Sequence, residues 1–132
     1  MIVLDTHTLI WWVNGIANEL SRSASLTIKH ARAENGVIVS SITAWEIAML
    51  VGRGRLTLTM DVLAWLSTVS RISGVRFIPI DNEIAVASVD LPGRFHQDPA
   101  DRIIVATARK FGISVVTRDR RIRTYPHVKA VW

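Results

Sequence analysis

The sequence predicts an α/β fold in which a parallel sheet is covered on both faces by helices. Short, continuous apolar runs alternate along the chain with longer segments of helical periodicity. Uninterrupted apolar runs are typical of parallel strands, because both faces of such a strand are buried under helices. No repeat, linker or low-complexity stretch interrupts the alternation. Since the chain has 132 residues, we expect residues 1–132 to form a single domain.

Capping and turn residues delimit each predicted element. Helices are expected to stop at Asn14-Gly15, Asn35-Gly36 and Gly112, and Asp98-Pro99 opens the helix with the clearest signals. The predicted helices are Thr6–Val13, Ser21–Ala33, Thr43–Val51, Asp61–Ile72, Asn82–Val89 and Asp98–Phe111. The predicted strands are Ile2–Leu4, Val37–Val39, Phe77–Ile80, Ser114–Val116 and, as a candidate last strand, Val128–Val131.

The composition excludes several classes of site. The chain has no cysteine, so a disulfide framework, a cysteine-ligated zinc or iron–sulfur site and a thiol nucleophile are all ruled out. No apolar run approaches the ~18 residues that a membrane span needs, and no basic region precedes the first strand. We therefore expect a cytoplasmic protein that does not act in a membrane.

The charge balance favours a polyanionic partner. The formal net charge is +5, and most of the basic residues are arginines, whose planar, forked donors suit phosphates. A charged face that serves only solubility would give the same balance. Half of the basic residues lie towards the end of the chain: Arg102, Arg109, Lys110, Arg118, Arg120, Arg121, Arg123 and Lys129.

Five acidic residues fall where a parallel sheet binds its ligands. Such sheets bind ligands beyond the carboxyl ends of their strands. Asp5 follows the first strand, Glu46 lies early in the helix after the second, and Asp119 follows Thr117 at the end of the fourth. Asp98 and Asp101 open a helix that can point the same way. We expect the other acids, Glu19, Glu34, Asp61, Asp81, Glu83 and Asp90, to be peripheral.

Each of these acids also has a local structural interpretation. Asp5 and Asp98 are natural N-caps, and Asp101 would then sit in the first turn of its helix. Glu46 stands at capping-box spacing from Thr43, and Asp119 is a typical turn residue. Taken together, converging carboxylates repel one another unless a proton or a cation intervenes. Oxygen ligands of this kind select Mg²⁺ or Mn²⁺, which can promote hydrolysis of a phosphodiester.

Four segments resemble the motifs of a PIN domain, and they stand in the order that this family has. The segments are Ile2–Trp12, Val39–Ile47, His96–Ala108 and Val115–Asp119. Within the family, the chain is most similar to the VapC-type ribonuclease toxins of bacterial toxin–antitoxin pairs. The resemblance implies a three-layer α/β/α sandwich with a mainly parallel five-stranded sheet, and Mg²⁺- or Mn²⁺-dependent hydrolysis of RNA.

The resemblance also implies roles for individual residues. Asp5, Glu46 and Asp101 match the core metal-site acids, and Asp119 matches a fourth, less uniform acid. Asp98 belongs to the same motif as Asp101 and is expected to support the site. The resemblance further implies a homodimer and a cognate antitoxin held over the acidic groove.

Further polar residues are candidates by their position in the chain. Thr6, Thr43 and Thr117 are near enough in sequence to support the metal site or the scissile phosphate. Arg102, Arg118, Arg120 and Arg121 are candidates for contact with the RNA backbone. Histidines 7 and 96 are expected to pack or cap more readily than to bind RNA. Tryptophans 11, 12, 45 and 65 are expected to pack in the core or at an interface.

Three rival functions remain open at this point. A non-catalytic RNA- or partner-binding module would keep the fold, but its mark would be a missing core acid. One kind of phosphotransfer domain has a second acid two residues after the first, and this chain has His7 at that position. Another kind has a lysine after a late strand, and this chain has Thr117-Arg118-Asp119 there. A PIN nuclease outside toxin–antitoxin systems would share every motif.

Overall fold

The computed structural model describes the backbone of residues 1–132 and every side chain except that of Ala17. No helix of the chain so described is both long and apolar enough to cross a membrane. The strands are β1 (Ile2–Leu4), β2 (Val37–Ser40), β3 (Val75–Ile78), β4 (Ser114–Val116) and β5 (Ala130–Val131). The helices are α1 (Thr6–Val13), α2 (Arg22–Ala33), α3 (Ser41–Gly52), α4 (Val62–Ser70), α5 (Asn82–Val89), α6 (Pro99–Phe111) and α7 (Arg120–Arg123), with a 3₁₀ turn at Ala17–Glu19.

The strands form one sheet in the order β3-β2-β1-β4-β5, and every neighbouring pair is parallel. The chain first moves outward from β1 to β2 and β3, and then returns to place β4 on the other side of β1. The strand order therefore reverses at β1, which is where open α/β sheets hold their ligands. Because the strands are parallel, the residues after β1, β2 and β4 all emerge at one edge.

Two apolar cores flank the sheet, which confirms the predicted α/β/α sandwich. Alternate side chains of β1 enter different cores, because successive residues of a strand face opposite ways. Leu4 packs in the core that also holds Leu9 of α1 and Ile28 of α2. Val3 packs in the core that also holds Ile104 of α6 and Ile84 of α5.

Several predicted boundaries were wrong: α4 ends at Ser70 rather than Ile72, and β5 begins at Ala130 rather than Val128. Two further errors have a clear physical reason. The third strand runs over Val75–Ile78 rather than Phe77–Ile80, because Pro79 has no N–H to donate to the sheet. The third helix is capped by Ser40, whose hydroxyl accepts a hydrogen bond from the N–H of Ile42, and not by Thr43. Glu46 therefore lies beyond the first turn of α3, and its capping-box interpretation is also wrong.

Candidate active site

A cleft of about 420 Å³ lies at the edge of the sheet where the strand order reverses. It brings together all five of the acids singled out in the sequence. Two of the predicted arginines line it as well, together with aromatic residues of α1. The lining residues are Asp5, Thr6, His7, Trp11, Glu46, Asp98, Asp101, Arg118, Asp119 and Arg121. Thr43 and Thr117 do not line the cleft but are fully buried, in hydrogen bonds to groups that do.

Asp5 both caps a helix and enters the cleft. Its Oδ1 accepts a hydrogen bond of 2.9 Å from the N–H of Thr8, which makes it the N-cap of α1. Its Oδ2 accepts a hydrogen bond from the hydroxyl of Thr117, which follows β4. The same hydroxyl oxygen accepts the N–H of Asp119 at 2.9 Å. Thr117 thus connects the acid after β1 to the acid after β4.

Glu46 is held by a pair of buried threonines. The hydroxyl of Thr6 donates to Oε1 of Glu46 at 2.5 Å, and it lies 3.1 Å from the hydroxyl of Thr43. Burial raises the pKa of the Glu46 carboxyl, the hydrogen bond from Thr6 opposes this rise, and the charge of Asp98 adds to it. The net result is a glutamate that holds a proton more readily than usual.

The N-terminus of α6 carries two acids with different tasks. Asp98 is the N-cap, and its Oδ2 accepts the N–H of Asp101 at 3.0 Å, as the sequence predicts for a cap before Pro99. Asp101 does not cap a helix, and only 15% of its side chain is exposed. Burial, followed by the charges of Asp98, Asp119 and Glu46, raises the pKa of Asp101 to about 7. Near neutral pH this carboxyl therefore exchanges readily between its protonated and charged forms.

His96 joins the acids at the same end of α6. Its Nε2 lies 3.0 Å from Oδ2 of Asp101 but is not aligned for a hydrogen bond. This buried nitrogen has no hydrogen-bond partner among the described side chains. Burial and the charge of Arg121 lower the pKa of His96, so the ring is neutral near pH 7. One ligand atom each from His96, Asp101 and Asp119 lies within 4.8 Å of the others, which is close enough to share one cation.

Arg121 partly neutralises this cluster. Its guanidinium lies 3.0 Å from Oδ2 of Asp119 and 3.6 Å from Oδ2 of Asp101. Burial alone would raise the pKa of Asp119, but the side-chain and backbone hydrogen bonds of Arg121 lower it. Because 62% of the Arg121 side chain is exposed, its guanidinium is accessible from solvent.

Two predicted RNA-contacting arginines lie elsewhere. Arg102 points into its own domain and donates hydrogen bonds of 2.8–3.1 Å to the carbonyl oxygens of Ser88, Val89, Phe95 and His96. These hydrogen bonds fix the loop before α6, and Arg102 does not line the acidic cleft, so its contact with RNA stays a prediction. Arg120 does not line the acidic cleft: it lines a separate one, beside β5.

Sequence reasoning undervalued His96, which lies beside Asp101, and Trp11, which lines the cleft. His96 stands two residues before the Asp-Pro motif, and its closeness to Asp101 depends on the path of the loop that Arg102 fixes. Trp11 was expected to pack, but it is only half-buried and lines the cleft. Its signal was its position one helical turn after His7, on the helix that Asp5 caps.

The chain is similar in sequence and in fold to known proteins. A family model described as "PIN domain" matches residues 2–128. A relative named Ribonuclease VapC22, from Mycobacterium tuberculosis, is 38% identical over 130 residues, which span 98% of this chain and 95% of that protein. The fold is similar to chains in the DNA-bound VapBC2 complex of Rickettsia felis (TM-score 0.70, 16% identity, 98% and 97% of the two chains covered). It is also similar to a chain in the DNA-bound VapBC complex of Salmonella typhimurium (TM-score 0.69, 20% identity, 98% and 95% covered).

Proposed function

The chain belongs to the PIN-domain family, and we propose that it is an Mg²⁺- or Mn²⁺-dependent endoribonuclease, the toxin of a toxin–antitoxin pair. The observation that carries this proposal is the cleft in which the side chains of Asp5, Glu46, Asp101 and Asp119 converge. The relative that shares 38% identity is named a ribonuclease, which supports RNA as the substrate. The proposal includes a cytoplasmic location and a single domain that spans residues 1–132.

The residues of the cleft fit a divalent cation. A set of partly buried carboxylates is unfavourable by itself, as the raised pKa of Asp101 shows, and a cation would relieve the repulsion. His96 also lies close enough to Asp101 and Asp119 for the three side chains to share one cation. Carboxylate ligands suit both Mg²⁺ and Mn²⁺. When bound, such an ion polarises a phosphoryl oxygen and offsets the charge that develops in the transition state.

The polar residues of the chain would orient the acids and the phosphate. Thr6 occupies Oε1 of Glu46, which leaves Oε2 for a ligand. Thr117 donates to Oδ2 of Asp5, whose Oδ1 accepts the N–H of Thr8, so both oxygens of Asp5 are held in position. Arg121 and Arg118 both line the cleft, and their guanidinium groups would attract the backbone phosphates of RNA. Preorganised charges of this kind stabilise the transition state without reorganising during the reaction.

A cognate antitoxin and a second copy of the chain are the proposed protein partners. Structural neighbours are described as toxin–antitoxin complexes, which supports an antitoxin. Trp45 on α3 is 55% exposed, which is unusual for a tryptophan and typical of residues at protein interfaces. An antitoxin segment that lies over the cleft would block access of RNA to the acids.

The first experiment is cleavage of total RNA by the purified chain with Mg²⁺, Mn²⁺ or EDTA. We expect discrete fragments that disappear with EDTA and with Asp5→Asn. Asp61→Asn is a matched control, because Asp61 caps α4 by the same type of hydrogen bond as Asp5 caps α1 but does not line the cleft. RNA that binds without being cut would favour the non-catalytic binding module. Cleavage that persists with EDTA and with Asp5→Asn would refute the proposed site.

A further inference from the structure

One part of the cleft wall is aromatic and cationic rather than acidic. Helix α1 begins directly after Asp5 and presents His7 and Trp11 to the cleft, one helical turn apart. Their ring centres are 5.8 Å apart. His7 is exposed and Trp11 is half-buried. Coordination of a cation by carboxylates needs neither ring, so the metal chemistry of the cleft leaves this wall unexplained.

The guanidinium of Arg118 extends the same wall. It lies over the ring of Trp11, 4.4 Å from the ring centre, which is a cation–π arrangement. Glu19 holds Arg118 in place with a hydrogen-bonded ion pair of 2.8 Å. The other aromatic neighbour of Trp11 is Trp132, which meets it edge-on with ring centres 6.1 Å apart. The flat groups are therefore positioned before any ligand arrives, which reduces the entropy lost on binding.

We propose that His7, Trp11 and Arg118 form a stacking platform for an unpaired nucleobase next to the scissile phosphate. Nucleobases stack on aromatic side chains and on the planes of arginine guanidinium groups. Double-stranded RNA already stacks its bases internally, so the platform selects a single-stranded segment. The inference rests on the proposed ribonuclease function and adds a second mode of recognition, through a base as well as through phosphates.

The position of the wall favours RNA over a protein partner. The platform shares one cleft with Arg121 and with the acids proposed to act on a phosphodiester. One strand of RNA would thus reach the acids and the flat groups together. Trp45, in contrast, is a mostly exposed tryptophan that does not line this cleft, and it serves as the matched control.

The test is binding of two labelled octamers by fluorescence anisotropy, in Mn²⁺ and in an Asp5→Asn background that prevents cleavage. One octamer is oligouridylate, and the other has the same ribose-phosphate backbone without bases. We expect the base-bearing octamer to bind about tenfold more tightly. Adding Trp11→Leu or Arg118→Lys should remove this preference, because lysine keeps the charge of Arg118 but lacks its plane. Adding Trp45→Leu should leave the preference unchanged.

Intrinsic fluorescence gives a second readout. The base-bearing octamer should quench tryptophan emission in the Asp5→Asn background and with Trp45→Leu added, but not with Trp11→Leu added. Equal affinity for the two octamers would overturn the platform. So would a preference that survives both Trp11→Leu and Arg118→Lys, and the wall would then be assigned to a protein contact. Arg118→Lys changes a half-exposed side chain, so it remains informative if Trp11→Leu does not fold.

A failure of the proposed function would look different. It would appear as an absence of RNA cleavage by the unsubstituted chain with Mg²⁺ and Mn²⁺. Failure of the platform alone would leave that cleavage in place while the two octamers bound equally well.

Discussion

Asp101→Asn should make the folded chain more stable at pH 8 while it abolishes RNA cleavage. In the folded state the pKa of Asp101 is raised from its usual 3.8 to about 7, first by burial and then by neighbouring carboxylates. At pH 8 the native protein must therefore hold a charge that its surroundings disfavour. Asparagine has nearly the same shape and carries no charge, so the substitution removes this cost.

The sign and size of the effect follow from linkage between protonation and folding. Between pH 4 and pH 7 the folded state binds more protons at Asp101 than the unfolded state does. The contribution of Asp101 to the free energy of unfolding therefore falls as pH rises through this window and is constant above it. The pKa difference, 7 − 3.8 or about 3, corresponds to roughly 4 kcal/mol at 1.36 kcal/mol per unit. Coupling to the other acids and the partial exposure of Asp101 reduce this to about 2 kcal/mol.

The assay is thermal and urea unfolding of both proteins from pH 4 to pH 8, with EDTA present. Asp101→Asn should raise Tm by about 7 °C at pH 8 and leave it nearly unchanged at pH 4. Asp81→Asn is a control of opposite sign, because the hydrogen bond from Lys110 lowers the pKa of Asp81 below its usual value. The charged carboxylate therefore stabilises the fold, and this variant should be less stable than the unsubstituted chain by an amount that is nearly constant from about pH 5 to pH 8. A Tm for Asp101→Asn that equals or falls below that of the unsubstituted chain at pH 8 would refute the reasoning.

Two further predictions concern the cation and the loop before α6. Mn²⁺ should raise Tm more at pH 8 than at pH 5.5, because protons compete with the cation for Asp101. A cation at 100 times its Kd would add about 2.7 kcal/mol to the free energy of unfolding at pH 8. A Tm shift that is equal at both pH values, or that survives Asp101→Asn, would contradict this. Arg102→Ala should lower the free energy of unfolding, measured with urea, by about 3 kcal/mol, because it removes charged hydrogen bonds to carbonyl oxygens of α5 and the loop. Arg102→Lys should recover little of this loss, because an ammonium group cannot reproduce the several hydrogen bonds of the forked guanidinium. Arg94→Ala, for which no side-chain hydrogen bond is found in the described structure, is the control.

The elements that sequence predicted best are those with two independent signals. Strand Ile2–Leu4 and helix Asn82–Val89 have the predicted bounds, because an apolar run or periodic helix coincides there with an aspartate cap. The short helix Arg120–Arg123 was not predicted, because a single turn is too short to show a helical period. The third strand shifted because its pairing with β2, and not its own apolar run, decides where it begins.

The candidate site was predictable where it follows from topology. In a parallel sheet, acids that come directly after strands lie at the same edge, and so do acids that open a helix pointing to that edge. These acids are therefore expected to lie close to one another. His96 and Arg102 were not predictable in this way. Their positions depend on the irregular segment between α5 and α6, where the carbonyl oxygens that bind Arg102 have no sequence signature.

Helix capping and metal binding are not competing interpretations of these acids. A helix that follows a parallel strand begins at the carboxyl end of that strand, so its N-cap lies at the ligand-binding edge of the sheet. Asp5, Asp98 and Asp119 cap α1, α6 and α7, and all of them line the cleft. A capping amide stabilises a charged carboxylate. Glu46 and Asp101 cap nothing, and they are the two acids of the cleft whose pKa is raised. The cost of burial, and after it the repulsion within the cluster, therefore falls on these two carboxyl groups, and a bound cation or proton would stabilise the folded chain mainly through them.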